Sequence, residues 1–321
     1  MKLTDRTSVK NKVAQTKISR KRLKRFTNQS RFLVLCFLLL FLGTSQTEGQ
    51  EVYSFGIVPQ QSATKMVRLW GPVLARISQE SGVKLKFRTA KDIPTFESEL
   101  LNGAYDFSYM NPYHYVIFSQ HPKYKAFAKA KDKRIQGIIV VREDSPIESL
   151  EELHEQQVAF PSPAAFAATL LPYAHMCAQD IFYRPSYVKS HDSVYRAVAN
   201  GVFIAGGGVQ RTLNSMDPEI REQLKVFWKS EKFTPHAFAS HPRVPDKEIQ
   251  KVRAAMLRLS EDEDFLTLVS KLRMKGFVSA ENHEWDDVRQ LNLTVLNNLI
   301  EPFMTPIPQQ SFPTTPIDVE S

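Results

Sequence analysis

From Glu51 onward, short apolar runs alternate with stretches of helical period. Residues 52–58 form a largely apolar run that ends at Pro59 and predicts a strand. After Ser62 the apolar residues Met66, Trp70, Val73, Leu74 and Ile77 share one helical face, and Gly82 closes that helix. A strand over 83–89, a helix over 94–101 stopped by Gly103 and a strand over 105–110 follow. A helix over 112–119 then starts with Pro112 in its first turn. Residues 135–141 predict a strongly apolar strand, broken by Asp144-Ser145-Pro146. Beyond a short helix at 149–154, a second series begins with a strand at 157–160 and a helix from Ala164 to Gln179, kinked at Pro172. It continues with a strand at 187–189, a helix over 193–200 closed by Gly201, and strands at 202–205 and 224–229. The chain then returns through 233–241, and 245–259 and 261–272 predict amphipathic helices. Repeated β-α-β units imply an α/β fold with mostly parallel sheets flanked by helices. Two such series joined by two crossing segments predict two lobes. The expected boundaries are 51–142 plus 236–300 for a discontinuous first lobe and 143–235 for the second. Residues 301–321, with five prolines and no periodicity, read as a disordered or loosely held tail.

Charge changes the picture at the N-terminus. The chain's formal charge is +8, yet residues 1–31 hold eleven Lys or Arg against Asp5 alone, which leaves the rest of the chain slightly acidic. A basic domain that tracks nucleic-acid phosphates is therefore excluded. The eleven apolar residues of 32–42 follow the basic stretch, and Gly43-Thr44-Ser45-Gln46 follows them. A positive stretch, a short apolar core and a small-residue exit make a secretory signal, expected over 1–45, with cleavage after Ser45 or Gly49. A membrane span needs about 20 apolar residues, so retention as an inner-membrane anchor is the lesser alternative to a free periplasmic protein. Of the two cysteines, Cys36 lies in the apolar run, and Cys177 then stands alone, so no internal disulfide is expected.

Catalytic and metal-binding patterns are missing from the sequence. It has no Gly-x-Ser-x-Gly, no His-Glu-x-x-His and no cysteine cluster, and no two of its eight histidines stand four apart. No enzyme activity, metal or cofactor is expected. Strand ends and helix starts carry the polar residues instead. Tyr109, Asn111 and Tyr113 fall where a strand passes into a helix, the usual ligand crevice of open α/β sheets; their alternative is core packing with satisfied hydroxyls. His191 and Asp192 open a further helix, with Asp192 as its cap and His191 either reaching a ligand or helping to cap. Gly206-Gly207-Gly208 allows close backbone approach, and Gln210 either reaches the cleft or lies solvated.

Five segments, in order, resemble the periplasmic binding proteins for phosphate, phosphite and phosphonate, which have the type 2 periplasmic-binding fold. They are Phe55-Gly56-Ile57-Val58-Pro59, residues 101–112, residues 144–153, His191-Asp192 through Val209, and Pro235 through Pro245. The resemblance spans 52–289. It implies two helix N-termini at the cleft, after Gln60-Gln61-Ser62 and after Ser162, whose unpaired N–H groups attract anions. The family carries a run of Ser and Thr at the second of these. Here that place reads Phe160-Pro161-Ser162-Pro163-Ala164-Ala165-Phe166, which keeps one hydroxyl and offers the N–H groups of Ala164, Ala165 and Phe166. Ser162-Pro163 alternatively serves as a plain N-cap. The implied protein is a monomeric periplasmic receptor that delivers a small oxyanion to an ABC transporter permease; the alternative is a sensor of the same fold that signals to a histidine kinase. On either reading Gln60, Tyr109 and Ser162 are expected to line one shared cavity.

Overall fold

Eleven strands are distributed over two sheets among the described residues. In chain order they are β1 (Val52–Ile57), β2 (Lys84–Arg88), β3 (Phe107–Met110), β4 (Lys125–Ala130), β5 (Ile135–Arg142), β6 (Gln157–Phe160), β7 (Arg184–Tyr187), β8 (Ala205–Val209), β9 (Leu224–Phe233), β10 (Ala237–Ser240) and β11 (Phe277–Ser279). The first sheet has the order β11-β4-β10-β3-β1-β2 and the second β7-β6-β8-β5-β9. The computed structural model describes residues 51–304. The expected signal over 1–45 and the tail beyond Met304 lie outside the described residues. Among those described, no helix is long and apolar enough to cross a membrane.

Both sheets are mixed, where the sequence predicted mostly parallel ones. β1 pairs parallel with β2 and β3, and β6 parallel with β7 and β8. The strands that arrive from the other lobe run the opposite way. β10 enters beside the end of β3, with Ala237 opposite Met110, and β5 enters beside the end of β8, with Gly137 opposite Val209. A chain that crosses directly between lobes joins the sheet at the end facing its origin. It must then run antiparallel, because a parallel entry needs a long crossover connection. β5 lies wholly in the second sheet, so the lobe boundary falls before it rather than after Arg142. The two crossings are residues 131–134 and 234–236. β4 and β11, two strands the sequence pattern did not predict, complete the first sheet.

Burial explains the apolar runs. Within β5, Ile138 and Val140 join one buried cluster of the second sheet, whereas Ile139 and Val141 join the cluster on its opposite face. A strand covered on both faces reads as a continuous apolar run for this reason. In the first lobe, helix α1 (Ala63–Ser81) buries Met66, Trp70, Val73, Leu74 and Ile77, and ends at Gly82, whose φ is +69°. Helix α2 (Ile93–Leu101) is capped by Asp92, which accepts from Thr95 N at 2.9 Å, and α3 (Pro112–Phe118) by Asn111, which accepts from His114 N at 2.7 Å.

The predicted helix from Ala164 to Gln179 is divided. Residues Phe166–Leu170 form a π-turn, and the α-helix proper, α4, covers Leu171–Cys177 with Pro172 in its first turn. Proline offers no N–H to the Ala168 carbonyl four residues back. The ladder widens there, with Leu170 N bonded to Ala165 O. The Ala167 and Ala168 carbonyls then lie against Gly137 and Gly207, where any Cβ would overlap them. Glycine at these two positions lets the turn lie flat on the cleft end of the second sheet.

Both crossings are held by one short segment of the first lobe. Asp287 accepts from Arg134 at 3.0 Å and from Thr234 N at 2.8 Å, and the buried Trp285 donates to Pro235 O at 2.8 Å. The residues on either side of the cleft floor are therefore fixed by the same pair of side chains. Residues 301–303, expected in the tail, form a 3-10 turn in which Phe303 stacks on His121 at 4.1 Å.

Candidate functional site

The ends of β1, β3 and β8, together with both crossings, converge on a cavity of about 330 Å³ lined by Gln60, Tyr109, Lys133, Gln136, Arg211 and His236, among others. That volume lies within the range of roughly 300–1,000 Å³ usual for small-molecule sites. Deeper in, a space of only about 20 Å³ is lined by Asn111, Ala165, Phe166 and His191 and shares Gln60, Ile135, Val209 and His236 with the larger one. The apolar turn after β6 fills the position between the lobes, and Asn111 Nδ2 ties it to the first lobe by donating to Ala164 O at 3.1 Å.

Tyr109 sits at the end of β3, with its ring packed against Trp70, Phe238 and His236 at centroid distances of 4.7–4.8 Å. Burial raises its hydroxyl pKa to about 12, so it stays a neutral donor. Opposite it stands Arg211, on helix α6, if α5 denotes His191–Ala199 and α6 Gln210–Leu213. Arg211 donates to Gln60 Oε1, and Gln60 Nε2 meets His236 Nε2 at 3.2 Å. Burial, and then the charges of Arg211 and Lys133, hold the His236 pKa well below its ordinary value; burial and Arg211 hold His191 at about 3. Both imidazoles are therefore neutral at physiological pH. Burial and the Arg211 charge lower the pKa of Lys133 to about 8, and burial also lowers that of Arg211.

Among the described residues neither Arg211 nor Lys133 forms a salt bridge. No Asp or Glu lines either space. Two half-buried cations without an acid, beside a neutral phenol and amides, form an environment suited to an anion. Charge-assisted hydrogen bonds are worth about 1.5–3 kcal/mol each when the partner is present.

The residues expected from sequence fall into three groups. Gln60, Tyr109, Asn111, Ala165, His191 and Gln210 line one or the other space, although Gln210 is exposed and donates to Asn214 Oδ1 at 2.8 Å. Gln61, Ser162 and Ala164 are buried but line neither, so Ser162 does not share the cavity of Gln60 and Tyr109. The Ser162 carbonyl accepts from Thr169 Oγ1 at 2.8 Å and so closes the turn on itself. Ser62 and Tyr113 stand apart. Ser62 is exposed with no side-chain cap bond, and the Tyr113 hydroxyl donates to Leu293 O at 3.3 Å while accepting from Leu296 N at 3.0 Å. The cap of α5 is Ser190, which accepts from Ser193 N at 3.1 Å, rather than Asp192. Asp192 lies by Gln61 with its pKa raised by burial.

Sequence reasoning missed Arg211, Lys133 and His236. The signal was positional: Arg211 lies in the first turn of the helix after Gly206-Gly207-Gly208-Val209, and Lys133 and His236 occupy the two crossings.

Comparison with known proteins agrees with this fold. A sequence model of the ABC transporter phosphonate periplasmic substrate-binding proteins matches residues 55–285. A binding-protein component of an ABC phosphonate transporter from Pseudomonas aeruginosa is 20% identical with a TM-score of 0.70, over 78% of this chain and 89% of its own. A Prochlorococcus marinus protein solved with methylphosphonate is 14% identical with a TM-score of 0.67, over 76% and 98%. A Xanthomonas citri protein solved with chloride is 16% identical with a TM-score of 0.60, over 78% and 99%. At such identities the likeness is one of fold, that of the type 2 periplasmic binding proteins, while the sequence match covers most of the chain. The chain belongs to the periplasmic substrate-binding protein family of phosphonate ABC transporters.

Proposed function

We propose that this protein binds a phosphonate-like oxyanion between its two lobes and hands it to an ABC transporter permease, acting as a monomer in the periplasm after removal of residues 1–45. The observation that carries the reading is the pair Arg211 and Lys133, half-buried and without an acid partner, over one cavity with Gln60, Tyr109 and His236. The oxyanion takes the guanidinium of Arg211 and the ammonium of Lys133, and the Tyr109 hydroxyl donates to it. Closure of the lobes removes water and strengthens each contact. The basic and apolar composition of 1–45 supports export. Family membership supports transport rather than catalysis.

Isothermal titration of the purified protein with methylphosphonate, phosphite and inorganic phosphate tests the assignment. Saturable 1:1 binding of at least one, weakened in Arg211→Gln, is expected, with the ligand recovered unchanged by phosphorus NMR. Absence of binding by all three refutes it.

A further inference from the structure

The cavity of Arg211 and Lys133 carries more positive charge than one phosphonate neutralises. Five of its lining residues are cationic (Lys133, Arg134, Arg211, Lys232 and Arg273), and none is acidic. Arg134 is committed to Asp287 at 3.0 Å. The other four have no salt bridge among the described residues. They lie in two tiers. Arg211 and Lys133 are half-buried inside, whereas Lys232 and Arg273 are exposed at the rim. Backbone contacts fix the rim to the floor: Lys133 Nζ donates to Arg273 O at 3.0 Å, and Arg134 donates to Lys232 O at 2.9 Å.

We infer that the cleft selects a ligand with two anionic groups, a phosphonate or phosphate monoester held by Arg211 and Lys133 and a second acid group held at the rim by Lys232 and Arg273. The inference rests on the oxyanion reading above and narrows it. A phosphoryl dianion brings about −1.5 to −2 charges, which matches the inner pair and leaves the rim pair unmatched. A cavity of about 330 Å³ holds on the order of ten waters at roughly 30 Å³ each. Methylphosphonate fills a fraction of that, and the remainder leads to the rim. The lining has no carboxylate to receive an ammonium group, so an aminoalkylphosphonate gains nothing from its amine. A rim that merely steers anions raises association rates for every anion alike. A rim that binds changes the ratio of affinities within a matched pair.

The test compares 3-phosphonopropionate, propylphosphonate and 2-aminoethylphosphonate by isothermal titration at constant ionic strength. Two exposed ion pairs of usual strength are expected to make the phosphonocarboxylate at least about twofold tighter than propylphosphonate, with the aminophosphonate no tighter than propylphosphonate. In the double variant Lys232→Gln, Arg273→Gln the ratio of the first two falls toward one. Both positions are exposed, and the Tm of the ligand-free variant verifies folding. A smaller ratio in the wild type, or a ratio that survives in the variant, overturns the inference while binding of all three leaves the oxyanion reading intact. Failure of every phosphonate to bind overturns both.

Discussion

Replacing Arg211 with Gln separates a binding role from a structural one, because the two predict opposite behaviour of the free protein. Arg211 is half-buried, burial lowers its pKa, and its hydrogen bond goes to the neutral Gln60. No salt bridge pairs its charge among the described residues, and Asp192 offsets it only in part, so the charge carries a cost there that an anion relieves. Glutamine keeps an amide donor in the same direction and removes the charge. One charge-assisted hydrogen bond contributes about 1.5–3 kcal/mol, which at 1.4 kcal/mol per decade is a loss of roughly 10- to 100-fold in affinity for methylphosphonate. The Tm of the free protein is expected to stay within about 2 °C of wild type or to rise, since 1 kcal/mol moves a chain of this size by roughly 2–4 °C. Titration calorimetry gives the first quantity and differential scanning calorimetry the second. A fall in free Tm of more than about 5 °C with unchanged affinity would refute the reasoning and make Arg211 a strut between the lobes.

Four further outcomes follow from the same geometry. Lys133, with a pKa near 8, loses its charge as pH rises through that value, so anion affinity should fall between about pH 7 and 9 in the wild type and not in Lys133→Gln. Free stability moves the other way. Between about pH 8 and the ordinary lysine value of 10.5 the folded state binds fewer protons than the unfolded one, so this group's contribution to stability rises with pH; thermal melts of both proteins across the window check the sign. Gly207→Ala places a Cβ on the Ala168 carbonyl and the Phe160 ring, and is expected to cost about 1–3 kcal/mol by overpacking, read as a lowered urea midpoint. Tyr109→Phe removes only a hydroxyl that has no hydrogen-bond partner among the described residues. Ligand-free Tm should hold, while affinity falls by about 0.5–1.5 kcal/mol, up to roughly tenfold; equal affinity excludes the hydroxyl from the site.

The order of strands and helices was legible because periods of 2 and 3.6 are local properties. The Met66–Ile77 face and the apolar run of β5 report burial directly. β4 was not legible: Lys125-Ala126-Phe127-Ala128-Lys129-Ala130 has little apolar contrast and is a strand because β10 and β11 flank it. The division of the predicted 164–179 helix turns on Pro172 and on the Ala167 and Ala168 carbonyls lying against Gly137 and Gly207, residues far apart in the chain.

For the site, the sequence marked positions where strands end, and Gln60, Tyr109, Asn111 and His191 lie at the cavities. Composition alone does not select Arg211 or Lys133 from 42 Lys and Arg; only their positions, after the Gly206–Gly208 run and in a crossing, set them apart. A cation is ordinary while solvated or paired. It becomes a site when two lobes fold around it and supply no acid, and that desolvation belongs to the assembled cleft. The expectation of an export signal over 1–45, by contrast, rests on composition alone, because such a signal is read from an extended chain before any tertiary contact exists.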